Sequence, residues 1–303
     1  MSINKIALVG ATGNLGPAIL KALLDNGYEV TVLSREGSTS TDSLTSHPRQ
    51  KITKVNFEDV DGISAALEGV EGVVSNVASS ALLSQKKIID AAIKAGVRRF
   101  LPSDFGSDLG IEVNKSVPFN APKVEVANYL EEKSKTHSEF SYTRVYCGPF
   151  FDWCLMVGLF ANLKTHEATL WDGGETKVST TTLASVGKAV VGVFENLEAT
   201  KNKEVRIADV TITQKEILEI AKGLDGKDWK TTTGSTAEAY KASLEELQKP
   251  QPNMQLVIFN QLYRIIFGAE HAPDMEGKLD NDVLGLQRMT QEQVKEVVKA
   301  CMG

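Results

Sequence analysis

A glycine-rich turn near the N-terminus constrains the fold of this chain more than any other stretch. An apolar run over residues 6–9 has the length and branching of a buried parallel strand. The turn Gly10-Ala-Thr-Gly-Asn-Leu-Gly16 follows at once, and then a helical segment over residues 17–26. A second strand, residues 29–34, completes a β-α-β unit of about thirty residues, which is the size that a dinucleotide-binding unit requires.

The three glycines of this turn have the spacing of a phosphate-binding loop. Gly10 permits the sharp turn after the strand, Gly13 lets the backbone approach a pyrophosphate, and Gly16 lets the helix pack closely. Amides at the helix N-terminus, with the positive end of the helix dipole, then face the phosphates. The alternative is a structural turn without a ligand, because any tight strand-to-helix connection favours glycine. We predict that the cofactor contacts include Gly10, Thr12, Gly13, Asn14, Leu15 and Gly16.

The end of the second strand indicates which dinucleotide binds. An acidic residue there favours NAD through the ribose 2′-hydroxyl, whereas a basic residue meets the 2′-phosphate of NADP. The chain reads Ser34-Arg35-Glu36. Ser34 can donate a hydrogen bond to phosphate, and Arg35 can pair with it bidentately or stack on adenine. We therefore predict NADPH as the cofactor, with a solvated surface position as the alternative for Arg35.

Strands and helices continue to alternate up to about residue 145. Further strands are predicted at residues 52–57, 72–77, 98–101 and 139–145, and helices at 59–69, 83–95 and 121–135. This alternation predicts an α/β fold with a doubly wound parallel sheet of the Rossmann type. Ligands bind at the carboxyl ends of such strands. We expect further cofactor contacts there from Phe57, Asn76, Val77, Ala78 and Ser103.

The segment Arg99-Phe-Leu-Pro-Ser-Asp-Phe-Gly106 leaves the fifth strand on the same edge as the glycine loop. We expect Ser103, Asp104 and Phe105 to face the cleft there, with Phe105 in contact with substrate. A second interpretation carries equal weight for Asp104. In that interpretation the segment only shapes a turn, which the Asp104 carboxylate caps.

A lysine-containing motif follows this segment. Many short-chain dehydrogenases carry Tyr-x-x-x-Lys at this point, in which tyrosine is the acid and lysine lowers its pKa and holds the nicotinamide ribose. The same spacing here reads Phe119-Asn-Ala-Pro-Lys123, so the lysine is present and the tyrosine is replaced. A partly desolvated lysine in a cleft has a lowered pKa and can donate a proton. The alternatives for Lys123 are binding of the ribose hydroxyls alone, or a surface position.

Together, the glycine loop, the segment 99–106 and Lys123 without its tyrosine resemble atypical short-chain dehydrogenases. The branch is that of isoflavone reductases, phenylcoumaran benzylic ether reductases and NmrA-like proteins. The resemblance is clear over residues 1–155 and looser beyond them. The plant reductases carry Pro-Ser-Glu-Phe-Gly where this chain has Asp104, which is a conservative departure.

This resemblance implies an NADPH-dependent reductase in which Lys123 is the catalytic acid/base. It also implies the substrate class, a small aromatic carbonyl compound, enone or quinone methide. The family contains non-catalytic members that bind a dinucleotide as redox sensors, so a sensor or regulator is the alternative function. A sugar-nucleotide epimerase is disfavoured because the tyrosine is absent.

Aromatic residues follow the sixth strand. We expect Phe150, Phe151 and Trp153 to form the wall of an apolar substrate pocket, although a core between two domains explains each of them equally well. The apolar residues of segment 253–267 are predicted to be core, with a pocket lining or a dimer face as alternatives. Residues 168–178, with an Asp-Gly-Gly turn at 172–174, predict a β-hairpin.

The expected organisation is a cofactor domain over residues 1–150 and a smaller, split α+β substrate domain, mainly residues 151–303. A helix within residues 179–197 is expected to pack back on the first domain. The length of 303 residues is sufficient for two such domains.

Composition limits the partners. The net charge of −6 argues against nucleic acid or an anionic membrane as the main partner. No apolar run reaches membrane-spanning length. Three unpaired cysteines and the absence of a signal sequence predict a cytoplasmic protein. The four histidines are scattered, so we predict no metal site. The expected partner is a small-molecule substrate, and the expected state is a monomer or a homodimer.

Overall fold

The computed structural model describes residues 2–302. Within them the strands are β1 (Lys5–Val9), β2 (Glu29–Arg35), β3 (Gln50–Val55), β4 (Gly72–Ser75), β5 (Arg99–Leu101), β6 (Ser141–Tyr146), β7 (Glu167–Trp171), β8 (Val178–Thr180), β9 (Lys203–Arg206), β10 (Val210–Ile212) and β11 (Lys230–Gly234). The helices are α1 (Gly16–Asp25), α2 (Val60–Ala66), α3 (Gln85–Lys94), α4 (Glu112–Lys115), α5 (Ala121–Thr136), α6 (Phe151–Met156), α7 (Leu183–Glu195), α8 (Gln214–Asp225), α9 (Thr236–Leu247), α10 (Met254–Phe267) and α11 (Gln291–Met302).

A seven-stranded parallel sheet organises the molecule, with the strand order β3-β2-β1-β4-β5-β6-β9. The central strand β1 pairs Leu8 with Val32 of β2 on one side and with Val74 of β4 on the other. The order of winding reverses between β1 and β4, which is where ligands bind in open α/β sheets. The doubly wound fold expected from the sequence is confirmed.

Helices cover both faces of this sheet, which explains why its strands read as continuous apolar runs. Ile6 and Leu8 of β1 point into a core shared with α1 and α7. The alternate residues Ala7 and Val9 point into a second core, shared with α2, α3 and α5. Each face removes its apolar side chains from water, and this burial is the main favourable contribution to folding.

The residues after α6 divide between the main sheet with its helices and a separate core cluster. Helix α7 packs on α1, and β9 extends the main sheet beside β6, so residues 183–206 belong structurally with the first part of the chain. A third core cluster holds α6, α8, α11 and the end of α10 together. The edge-to-face contacts of Phe160 with Phe151 and with Phe267, at ring distances of 6.3 and 5.7 Å, lie at its centre.

The predicted hairpin over residues 168–178 is wrong. Backbone with positive φ at Asp172, Gly173 and Gly174 does form a turn, but the strands on either side pair elsewhere. Strand β7 pairs in parallel with β11, and β8 pairs antiparallel with β10. Asp172 accepts a hydrogen bond of 2.9 Å from the Thr236 amide at the start of α9, which ties the turn to a distant helix.

Within the described residues, no helix is both long enough and apolar enough to cross a membrane.

Candidate active site

A cavity of about 480 Å³, called the cleft below, opens at the carboxyl ends of β1, β4 and β5. Its lining includes residues of the glycine loop and of the segment after β4, together with apolar side chains from later segments. The structure brings these predicted site residues together in its lining: Gly13, Asn14, Leu15, Asn76, Val77, Ala78, Ser103, Phe105, Lys123, Phe150 and Trp153.

The glycine loop has two positions that the protein itself reserves for glycine. Gly10 has a φ of +81°, and a Cβ there would lie 1.9 Å from the carbonyl oxygen of Asn76. A Cβ on Gly16 would lie 2.2 Å from the carbonyl oxygen of Gly10. A Cβ on Gly13, in contrast, would meet nothing in the protein closer than 3.6 Å. The packing of the protein therefore does not explain the glycine at position 13, whereas a bound group close to the backbone does.

The N-terminus of α1 suits an anionic ligand. Thr12, Gly13 and Asn14 are exposed at this end of the helix, and its first turn carries no acidic residue. The positive end of the helix dipole is therefore not neutralised by the protein. Asn76 donates a hydrogen bond of 3.1 Å from Nδ2 to the Gly10 carbonyl oxygen, which attaches the loop to the end of β4. These features fit the pyrophosphate of a dinucleotide.

A second, shallower depression lies at the end of β2 and is lined by residues 35–40. Ser34 is buried and does not line this depression, whereas Arg35 is exposed with no ion-pair partner among residues 2–302. Lys54 of β3 fixes the loop that lines the depression. Its Nζ donates hydrogen bonds to the Ser38 carbonyl oxygen and, at 2.9 Å, to the Thr41 hydroxyl. A 2′-phosphate placed here would lie beside an unpaired guanidinium.

Lys123 lies in the first turn of α5, directly after Pro122, and only 8% of it is exposed. Its ammonium group has no hydrogen-bond or ion-pair partner within the part of the chain that the structure describes. The ammonium lies against Gly106, 3.5 Å from the position that a Cβ would take there. Burial lowers the pKa of Lys123, and the neighbouring Asp104 opposes that change. Phe119 also lines the cleft and supplies no hydroxyl group.

Asp104 fits neither of its two expected positions. Its carboxylate does not line the cleft or cap the turn; it lies beneath the cleft, 1% exposed, and Oδ2 accepts a hydrogen bond of 2.9 Å from Arg144 Nε. Burial raises the pKa of Asp104, and the nearby charges of Arg144 and Lys123 oppose that rise. The physical reason is the ion pair with Arg144 on β6, which draws the carboxylate away from the turn between Pro102 and Gly106.

The apolar wall of the cleft comes from three distant segments. Phe105 and Phe119 flank the lysine, and Phe150 and Trp153 extend the wall from the start of α6. Helix α10 closes it, through the lining residues Leu262, Ile265 and Ile266. Segment 253–267 was predicted to be core, with a pocket lining or a dimer face as alternatives. In the structure it supplies both pocket-lining residues and core residues such as Phe267.

Phe151 does not line the cleft, which corrects its assignment to the substrate pocket. Its ring is fully buried in the core beside Phe160. The physical reason is helical periodicity, since residues three or four apart share a face. Phe150, Trp153 and Cys154 share the cleft face, whereas Phe151 and Leu155 share the core face.

The remaining predicted contact, Phe57, is half-buried after β3 and packs on the core under α2. It lines neither the cleft nor the depression beside Arg35, so its contact with adenine stays a prediction.

Sequence reasoning missed Gln85, which shapes the floor of the cleft. This fully buried side chain accepts a hydrogen bond of 2.8 Å from the Ser103 amide and donates one of 3.1 Å to the Leu82 carbonyl oxygen. The Ser103 hydroxyl in turn donates to the Val77 carbonyl oxygen at 3.0 Å. Arg144 was also missed, although an arginine in the middle of a buried strand is itself a signal, because a buried charge requires a partner.

The residues of the cleft can now be compared with known proteins. A model of the NmrA-like family matches residues 2–281. The chain belongs to the NmrA-like family. This membership confirms the resemblance predicted from the glycine loop, the segment 99–106 and Lys123 without its tyrosine.

Named relatives of this NmrA-like protein are oxidoreductases. It is 34% identical to the oxidoreductase aprR of Aspergillus flavus over 81% of this chain and 82% of that protein. It is 31% identical to the phenylcoumaran benzylic ether reductase PT1 of Pinus taeda over 57% of this chain and 59% of that protein. A structure of leucoanthocyanidin reductase from Vitis vinifera in binary complex with NADPH covers 99% of both chains, with a TM-score of 0.78 and 18% identity. At that identity the structure establishes the shared fold.

Across residues 2–302, no group of three or more histidine, cysteine, aspartate or glutamate side chains is arranged to hold a metal ion.

Proposed function

We propose that this NmrA-like protein is an NADPH-dependent reductase of a small, neutral aromatic substrate. The observation that carries the proposal is the position of Lys123. It is the one charged side chain among the cleft-lining residues, it has no partner within the described chain, and it lies between the glycine loop and an apolar wall. The names of the relatives support the reaction class.

In this proposal, different residues bind the cofactor, bind the substrate and transfer the proton. The glycine loop and the N-terminus of α1 bind the pyrophosphate, and Arg35 pairs with the 2′-phosphate. When bound, NADPH supplies a hydride from its nicotinamide ring. The apolar wall of Phe105, Phe150 and Trp153 binds the aromatic part of the substrate and excludes water from it. Lys123 donates a proton to the substrate oxygen on which negative charge develops.

The substrate class follows from the composition of the wall. A carbonyl compound, an enone and a quinone methide each accept a hydride at carbon and place negative charge on an oxygen that an ammonium can protonate. An anionic substrate would also attract Lys123, but the lining residues include no second cation, and many of them are apolar, such as Ile265. A neutral aromatic electrophile therefore fits this cleft best.

The experiment compares Lys123→Met with Lys135→Met, an exposed lysine on the same helix. Oxidation of NADPH is followed by absorbance with a panel of aromatic ketones, enones and quinone methides. We expect Lys123→Met to lower kcat by at least about 100-fold, to bind NADPH within about threefold of the parent, and Lys135→Met to behave as the parent. Full turnover by Lys123→Met would reject the assigned proton transfer.

The second candidate is a dinucleotide sensor without turnover. The replacement of the tyrosine by Phe119 favours it, because the residues that line the cleft then include no tyrosine to act as the acid beside Lys123. In a sensor, Lys123 binds the ribose hydroxyls alone. Tight NADPH binding without oxidation on the whole substrate panel, together with weaker NADPH binding by Lys123→Met, would favour the sensor over the reductase.

A further inference from the structure

An ion-paired network lies directly beneath the cleft and is not explained by the proposed chemistry. Arg144 pairs with Asp104 at 2.9 Å and with Glu204 at 3.0 Å, and Arg206 pairs with Asp108 at 2.7 Å and with Glu204 at 3.2 Å. The two guanidinium groups each lie over the ring of Tyr146, 5.4 Å from its centre.

This network carries more negative than positive charge. Four carboxylates share two guanidinium groups: those of Asp104, Glu204 and Asp108, and the more exposed one of Glu131, 3.8 Å from Arg144. The carboxylate nearest the cleft is that of Asp104, and its Oδ1 is buried without a hydrogen-bond partner among residues 2–302. A buried carboxylate oxygen in this condition is costly unless a positive charge lies nearby.

Lys123 is a buried charge close to this loop, and its ammonium has no hydrogen-bond or ion-pair partner among residues 2–302. Its ammonium lies against Gly106, two residues after Asp104 in the same loop. Within the described structure no ion pair within 4 Å joins the two side chains, so Lys123 lines the cleft while the Asp104 charge acts on it through the buried interior. In such an interior the attraction between opposite charges is stronger than in water.

We propose that Asp104 is a positioning residue that keeps Lys123 in its charged, proton-donating form, and that Arg144 holds Asp104 in place for this task. The inference rests on the proposed function only where it calls Lys123 a proton donor. Burial alone would favour the neutral amine. The carboxylate beneath it offsets that effect without forming a direct pair that would draw the ammonium away from substrate.

The other groups around Lys123 do not supply this charge. Burial raises the pKa of Cys147 to about 12, so its thiol is neutral at physiological pH. Charged residues of α3 and α5 have other ion-pair partners. Lys86 pairs with Glu125, and Lys133 pairs with Asp90. Lys87 and Lys94 pair with Glu58 and Asp61, and Glu131 lies 3.8 Å from Arg144 of the network. The short segment 79–84 that packs on α5 carries no charged residue.

The test is a direct titration of Lys123 in the whole protein without substrate. Lysine labelled with carbon-13 at Cε is incorporated, and the signal of Lys123 is assigned by its loss in Lys123→Arg. Removal of a nearby opposite charge disfavours the charged amine, so we expect the pKa of Lys123 to fall by about one unit or more in Asp104→Asn. We expect Asp104→Glu to restore the parental titration, and Asp108→Asn to leave it unchanged.

A titration of Lys123 that is unchanged in Asp104→Asn would overturn the proposal, and so would an equal fall in Asp108→Asn. If Asp104→Asn does not fold, the double variant Asp104→Asn/Arg144→Gln removes both charges of the pair and leaves neither buried alone. A smaller fall in the pKa of Lys123 is expected from it, because the repelling charge of Arg144 is removed as well. An unchanged titration again overturns the proposal. Because the titration needs no turnover, it gives its answer even if the protein is a sensor.

Discussion

Substitution of Gly13 by alanine separates what the protein requires of its glycine loop from what the cofactor requires. The new Cβ would meet no protein atom closer than 3.6 Å, and Gly13 does not have the positive φ that strains an alanine. Loss of glycine also reduces the conformational entropy of the unfolded chain. We therefore expect the free energy of unfolding of Gly13→Ala to rise by about 0.4–1 kcal/mol.

Binding of NADPH should change in the opposite direction. The added methyl group projects from the exposed side of the loop, where the pyrophosphate must approach the backbone. We expect the Kd of NADPH, measured by cofactor fluorescence, to rise at least about tenfold, which is about 1.4 kcal/mol.

Gly16→Ala is the matched control for this substitution. Its Cβ would lie 2.2 Å from the Gly10 carbonyl oxygen, so the backbone must move. We expect a loss of stability of about 1–3 kcal/mol, measured by urea unfolding. If Gly13→Ala binds NADPH as tightly as the parent, or unfolds as easily as Gly16→Ala, the argument that a ligand explains this glycine is refuted.

Three further substitutions test the cofactor depression, the core and the apolar wall of the cleft. Arg35→Ala should narrow the preference for NADPH over NADH by roughly tenfold, because a charge-assisted contact to the 2′-phosphate is lost; equal affinities of parent and variant for both cofactors would count against this contact. Phe151→Ala should lower the free energy of unfolding by about 3–5 kcal/mol through a core cavity. Trp153→Ala, at a half-buried cleft position, should cost less stability and should raise the KM of the aromatic substrate. Stability is measured by urea unfolding and KM by steady-state kinetics. A larger loss of stability in Trp153→Ala than in Phe151→Ala, or a raised KM in Phe151→Ala alone, would contradict the assignment of the two rings.

Local patterns in the sequence predict much of the cofactor side of the cleft. The glycine spacing, the apolar strand before it and the helix after it lie within one β-α-β unit, so short-range geometry determines their arrangement. The predicted residues Asn76 and Ser103 also reach the cleft, because parallel strands end at a common edge. Pro122 before Lys123 correctly predicts the first turn of a helix.

The substrate side could be predicted only in part. The sequence indicates that the aromatic residues at 150–153 are candidates for the pocket wall. Which of their rings faces the cleft depends on the position at which α6 begins. Because of this start position, Phe151 faces the core and not the predicted substrate pocket. The lining residues of α10 lie more than a hundred positions after the glycine loop, and no local pattern places them opposite it.

The sequence by itself thus determines the fold class, the family and the position of the lone lysine, because these depend on residue spacing within a turn, a helix or a strand. Only the tertiary structure decides that β7 pairs with β11, that β9 joins the main sheet, and that Asp104 pairs with Arg144, forty residues away. These choices depend on which distant segments meet. Several partners satisfy the same local preferences, and the packing of the whole chain selects one.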